Sequence, residues 1–248
     1  MNRSAFNSND TENHESTLEA CRVGDLFTLQ KLLSISTNKP IPEATGLSLL
    51  ATGVQHQHPK IVTHLLTTHP TISLCQSTDI VASLLSKPSI PILRLLLAHD
   101  SHFANISIDY GMRTFLTDAC REPPPKINPL IHVLLDTGAD VNDGMGPGGG
   151  ALLAAIWGDQ GKDIILKIVK KGGFVAGPVL TAALQKERVD VLRMLLKRGG
   201  GNIDVEDILR RVRAGSNKRI EKIVERFMIE MDEVTDEEEF QKGGTRHI

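Results

Sequence analysis

Nine histidines are the first residues of this 248-residue chain whose chemistry asks for an explanation. His56-x-His58, followed by His64 and His69, gathers four imidazoles in one short stretch. Imidazole is a common metal ligand, but ligation requires donors that converge. On a helical hairpin His56 falls at the end of one helix, His58 in the turn and His64 on the next helix. Neither HExxH nor a Cys/His ligand spacing accompanies them, so no metal site is read here. His58 is expected to satisfy backbone groups in its turn.

The run Gly144-Met145-Gly146-Pro147-Gly148-Gly149-Gly150 contains the letters of a phosphate-binding GxGxxG. That motif works after a strand, where the backbone turns closely enough to cradle a pyrophosphate at a helix N-terminus. Here Gly138-Ala139-Asp140-Val141-Asn142 precedes it and no Lys-Ser/Thr follows, so a loop is expected and no nucleotide or other cofactor is implied. Catalysis from dispersed residues stays open, with Tyr110, Asp118, Arg121 and Trp157 as its candidates. No nucleophile elbow or kinase loop supports it. Cys21, Cys75 and Cys120 are far apart and form no CxxC, which favours reduced thiols over disulfides or metal ligands.

The elements that must position these groups repeat along the chain. TLEACRVGDLFTLQKLL (17–33), SLLATGVQHQHPKIVTHLL (48–66) and IVASLLSKPSIPILRLLL (80–97) each read as two helices around a tight turn. Gly24 can leave the right-handed region, Asp25 can cap the helix that follows, and Pro59 suits a first helical turn. Leu32, Leu65, Leu96, Leu134, Ile168, Leu195 and Ile223 open apolar doublets spaced by 33, 31, 38, 34, 27 and 28 residues. A period near thirty is the mark of a helical-repeat array. Ala20, Ala154, Ala155, Ala182 and Ala183 are expected where helices approach closely.

With Gly24-Asp25, the doublets, His58 and the loop Gly138-Ala139-Asp140-Val141-Asn142, residues 15–228 resemble the ankyrin-repeat family. The resemblance implies an all-α, ankyrin-like helical-hairpin solenoid of about seven repeats, used as a protein-protein interaction module through its concave surface. The repeats are degenerate. No unit reads Thr-Pro-Leu-His; the nearest are Leu49-Leu50-Ala51, Ala151-Leu152-Leu153 and Val179-Leu180-Thr181. Pro123-Pro124-Pro125 must loop out between two helices, and Gly172-Gly173 and Gly199-Gly200-Gly201 look like helix-ending glycines. Trp157 at the end of a first helix suits a partner anchor or inter-repeat packing. His56, Lys87 and Lys186 hold matching helix-end positions and Arg22 sits one residue earlier, which makes these five the candidate partner-binding strip. The competing reading is an enzyme or small-molecule binder of isomerase or cyclase type, with a pocket in the irregular central repeats.

Charge narrows the partners. A net charge of −2 argues against nucleic acid and anionic membrane surfaces. Arg210, Arg211, Arg213, Lys218, Arg219, Lys222 and Arg226 give the last unit a polar face suited to a cap. Seven acids between Met228 and Phe240 follow, and the tail 229–248 is read as flexible or folded back on that cap. Residues 1–14 are polar enough to be expected disordered, with structure from about Thr17. The first sixteen residues hold no continuous apolar core and no run of 18 apolar residues occurs, so a cytoplasmic chain is expected, the nucleus remaining open.

Overall fold

The computed structural model of the chain describes residues 8–35, 41–75, 77–144 and 150–198, with isolated helical positions at 210, 218, 221, 222 and 225. The fold is all-α apart from one small hairpin of two-residue strands. It separates into two compact units, one ending at Asp140 and the other beginning at Val141. The boundary therefore falls inside the Gly138–Asn142 loop.

In the first unit the helices are α1 (Ser8–Val23), α2 (Leu26–Ile35), α3 (Glu43–Gln55), α4 (Pro59–Thr68), α5 (Thr78–Ser86) and α6 (Ile90–His99). A 3-10 turn (Ser101–Asn105) and strands β1 (Ser107–Ile108) and β2 (Arg113–Thr114) lead to α7 (Phe115–Arg121) and α8 (Asn128–Asp136). The second unit has α9 (Gly150–Trp157), α10 (Lys162–Lys170), α11 (Gly177–Gln185) and α12 (Val189–Arg198). Helices pair as hairpins, α1 with α2, α3 with α4, α7 with α8, α9 with α10 and α11 with α12. Neighbouring hairpins meet through like helices: α1 on α3, α3 on α5 and α5 on α7; α4 on α6 and α6 on α8; α9 on α11 and α10 on α12. Short amphipathic helices cannot bury their stripes alone, so these contacts between hairpins supply the core.

The doublets mark that core. Leu65, Leu96, Leu134, Ile168 and Leu195 are fully buried. The first hairpin differs, because Leu29 is the fully buried residue of α2 and Leu32 is only half-buried. Ala20, Ala154, Ala155, Ala182 and Ala183 are all buried, as close helix approach requires. Ile223, most of the last basic unit, the acidic tail and residues 199–201 lie outside the described residues.

One local expectation changes, and one cap was not foreseen. Helix α1 starts at Ser8, well before Thr17, with the Thr17 hydroxyl donating to the Asn13 carbonyl at 2.6 Å. Ser, Asn and Asp are helix-starting residue types, and this polar opening extends the helix beyond the apolar stripe on which the sequence reading relied. Residues 1–7 lie outside the described residues. The unforeseen cap is at Thr114, which pairs reciprocally with Thr117: each side chain accepts from the other's backbone N–H, at 3.2 and 2.8 Å. The capping-box signal is a Ser or Thr followed three residues later by Glu or Gln, and here a second Thr does that work. As expected, Pro123–Pro125 lie between α7 and α8.

Candidate functional site

The turn between the two helices of a hairpin sets where each first helix stops. In four hairpins the stop is the same: the N–H of Asp25, His58, Gln160 and Arg188 donates to the carbonyl five residues back, of Ala20, Gly53, Ala155 and Ala183, each at 2.9 Å. The residue before each donor, Gly24, Gln57, Asp159 and Glu187, has φ between 52° and 80°. This is a Schellman-type ending, which reverses the chain and satisfies a free helix carbonyl. The acceptors are alanine or glycine, so the turn can lie against the next hairpin. Asp25 then caps α2 by accepting from the Thr28 N–H at 3.0 Å and the Thr28 hydroxyl at 2.6 Å, bonds that hold its carboxyl below the ordinary range.

Side chains in these turns tie one hairpin to the next. His58 Nε2 donates to the Arg22 carbonyl at 3.0 Å, and a Cβ on Gly24 would come within 2.6 Å of its ring. Gln57 Nε2 donates to the Lys87 carbonyl at 3.0 Å. In the second unit Arg188 Nη2 donates to the Gln160 carbonyl at 3.1 Å. His99 does the same from the end of α6, donating through Nε2 to the Ile72 carbonyl at 2.9 Å. His58 and His99 are thus occupied by backbone. His69 is half-buried, and burial together with nearby His64 lowers its pKa. Among the described residues no group of three His, Cys, Asp or Glu side chains is placed to hold a metal ion.

The loops between hairpins carry a second tie. Asn105 donates through Nδ2 to the Gly138 carbonyl at 3.4 Å and accepts at Oδ1 from the Asp140 N–H at 2.7 Å. In the second unit Asn142 donates to the Gly172 carbonyl at 3.0 Å and accepts from the Phe174 N–H at 2.9 Å. One amide therefore clamps a donor and an acceptor two residues apart in the next loop. Gly138 and Gly172, at φ 91° and 92°, make those loops possible. Gly150 of the glycine run opens α9 where the Val141 carbonyl accepts from Ala151 N–H at 2.9 Å, an approach too close for a Cβ at position 150. Residues 145–149 lie outside the described residues.

Between first helices lie two open clefts. The α3–α5 cleft, about 530 Å³, is walled by Ser48, Thr52 and Gln55 on one side and Ser77, Asp79 and Ser83 on the other. The α9–α11 cleft, about 340 Å³, is walled by Leu153 and Trp157 against Pro178, Thr181, Ala182 and Gln185. Trp157 is 42% exposed at its edge. Lys186 Nζ sits 5.9 Å from the centre of the indole and 2.7 Å from Asp159 Oδ2. An ammonium at that distance is attracted by the ring face, which steadies the indole without burying it.

The expected strip residues all sit at first-helix ends. His56, Lys87 and Lys186 follow the last residues of α3, α5 and α11, Trp157 is the last of α9, and Arg22 lies in the last turn of α1, paired with Glu19. Trp157 and Lys186 are brought into contact. The enzymatic candidates lie on the β1–β2 hairpin, α7 and α9. Tyr110 is fully exposed at the tip of the β1–β2 hairpin, where Asp109, Tyr110 and Gly111 have φ of 50°, 55° and 86°. Arg121 is exposed, and Trp157 belongs to the second unit. Asp118 faces Arg113: Nε lies 3.6 Å from its Oδ1, ion-pair range but too long for a hydrogen bond, while Arg113 Nη2 holds Asp109 at 2.9 Å. Burial raises the Asp118 pKa against the opposing pull of Arg113 and Arg121. The T-shaped contact of Phe103 with Phe115, 5.6 Å between centroids, anchors the hairpin's base.

Sequence reading passed over Ser77, Thr52 and Ser83. The available signal was hydroxyls and small residues recurring at helical spacing on α3 and α5, where the opposite faces are Leu and Ile. Among the described residues no helix is long and apolar enough to cross a membrane. No protein-family model matches the chain, and no curated protein matches it.

Proposed function

We propose that this chain is an ankyrin-like helical-hairpin array that holds a protein partner on the first-helix side of its hairpins. The observation that carries this reading is the pair of open clefts between consecutive first helices, one of them edged by the half-exposed Trp157. Hairpins joined through like helices, with repeated turn and loop ties, support the ankyrin-like part. So does Thr114-Phe115-Leu116-Thr117, which starts α7 in the manner of that family's Thr-Pro-Leu-His. Interfaces gain most from aromatic anchors whose surroundings exclude water once the partner is seated. On this reading the chain is cytoplasmic, the nucleus remaining open.

The test is affinity capture on the full chain with wild type, Trp157→Ala and Arg94→Ala in parallel, Arg94 being an exposed residue of the second helix α6. A protein retained by wild type and Arg94→Ala but lost from Trp157→Ala, and cross-linked to first-helix residues, supports the reading. Equal retention by all three, or a co-purifying small molecule with no protein, overturns it.

A further inference from the structure

We propose, resting on that interaction reading, that the α3–α5 cleft is a subsite for a lysine or arginine side chain of the partner. The argument starts from where hydroxyl hydrogens go. The Thr52 hydroxyl donates to the Ser48 carbonyl at 2.8 Å, and the Ser83 hydroxyl donates to the Asp79 carbonyl at 2.8 Å. With their hydrogens committed along the helix, both oxygens have only lone pairs to offer the cleft. The Asp79 carboxylate adds acceptors, and it is the one ionised side chain among the lining residues. Among the described residues no Lys, Arg or His lines the cleft, and Lys87 lies past the opposite end of α5 from Asp79. An acceptor-rich wall with a net negative charge selects a multiple donor that carries positive charge.

Ser77 supplies an independent observation. It is only 6% exposed and lines the cleft, and its Oγ, itself buried, has no hydrogen-bond partner among the described residues. A buried hydroxyl left unpaired is costly unless something outside the chain completes it. Leu47 and Ile80 contribute apolar surface to the same cleft, which suits the methylene stem of a long cationic side chain. A carboxylate-bearing ligand could take hydrogens from the Gln55 amide or the Ser77 hydroxyl, but it would be repelled by the Asp79 carboxylate and would find no free hydrogen on Thr52 or Ser83.

The experiment is selection of displayed random dodecapeptides on the full chain, with retention of the enriched peptides compared on wild type, Asp79→Asn, Ser77→Ala and Trp157→Ala. The expected result is a class rich in Lys or Arg whose affinity falls about tenfold on Asp79→Asn, the loss of one charge-assisted hydrogen bond. That class should also weaken on Ser77→Ala, a change that removes no hydrogen bond among the described residues, and should weaken further at high salt. Enriched peptides that lack basic residues, or basic peptides indifferent to Asp79→Asn, overturn the inference. If those peptides still depend on Trp157, the interaction reading survives without it. If no peptide is enriched at all, both fail.

Discussion

The α3–α5 cleft has an aspartate and serines in its walls where the α9–α11 cleft has tryptophan and proline, although each also holds a threonine and a glutamine and both lie between consecutive first helices. Around them the two units use the same devices. Each has first helices ended by a bond from the sixth residue to the first, each has a buried aliphatic doublet on its second helices, and each has an asparagine clamping the following loop. The difference teaches that in this chain the scaffold and the cleft walls are separable: the repeating positions hold the hairpins together, and the lining positions set the polarity of each cleft.

That separation can be broken at the scaffold. The largest expected effect is from Leu134→Ala, which removes a fully buried side chain from α8 and should cost about 2–5 kcal/mol in urea unfolding. Ile168→Ala, its counterpart in α10, should fall in the same range, and a tenfold smaller cost at either position would mean that the two units are not built alike. Next comes Gly24→Ala. At φ 80° with His58 only 2.6 Å from the added methyl, it should cost about 2–3 kcal/mol, whereas Gly172→Ala, with φ 92° but open space around it, should cost about 1 kcal/mol. Adding His58→Ala should relieve part of the first penalty and none of the second.

Smaller effects test the loop clamps. Asn142→Ala should lower stability by about 1–2 kcal/mol, and Asn105→Ala by somewhat less because one of its two bonds is stretched to 3.4 Å. The smallest effects are in pH dependence. The Asp118 carboxyl is raised by burial, so the folded chain binds this proton at a higher pH than the unfolded chain does. Its contribution to stability therefore increases as pH falls through the raised value and is complete below the ordinary carboxylate range. Asp25 has the opposite sign: its depressed acid stabilises above the ordinary range, and that stability is lost as pH falls through the lowered value. Melting temperatures across the acid range should accordingly show a shallower gain on acidification for Asp118→Asn and a shallower loss for Asp25→Asn. Both groups belong to the first unit, so parallel changes in the second unit's unfolding would contradict the assignment.

The helical hairpins were legible in the sequence because their signals are local. Gly24-Asp25, Pro59 and the doublets each act within a few residues of one turn, and helix period and helix ending agree. The strands Ser107–Ile108 and Arg113–Thr114 were not legible, since two residues cannot show an alternating pattern. The asparagine clamps escaped for another reason: Asn105 reaches 33 and 35 residues ahead, and nothing in its neighbours announces the target. The candidate strip was placed correctly at helix ends, yet the polarity of the α3–α5 wall depends on where two hydroxyl hydrogens point. Spacing alone does not encode that direction.

One consequence follows from where the two strongest chromophores fall. The chain's single tyrosine stands fully in solvent on the first unit, and its single tryptophan lies half-covered on the second, with an ammonium near its ring face. Excitation at the red edge of the indole band therefore reports the second unit alone, against a phenol already as hydrated as it will be after unfolding. Far-ultraviolet circular dichroism weighs the helices of both units. Superimposed denaturation curves from the two signals would mean that the units melt as one cooperative block, and displaced curves would give each unit its own stability without cutting the chain.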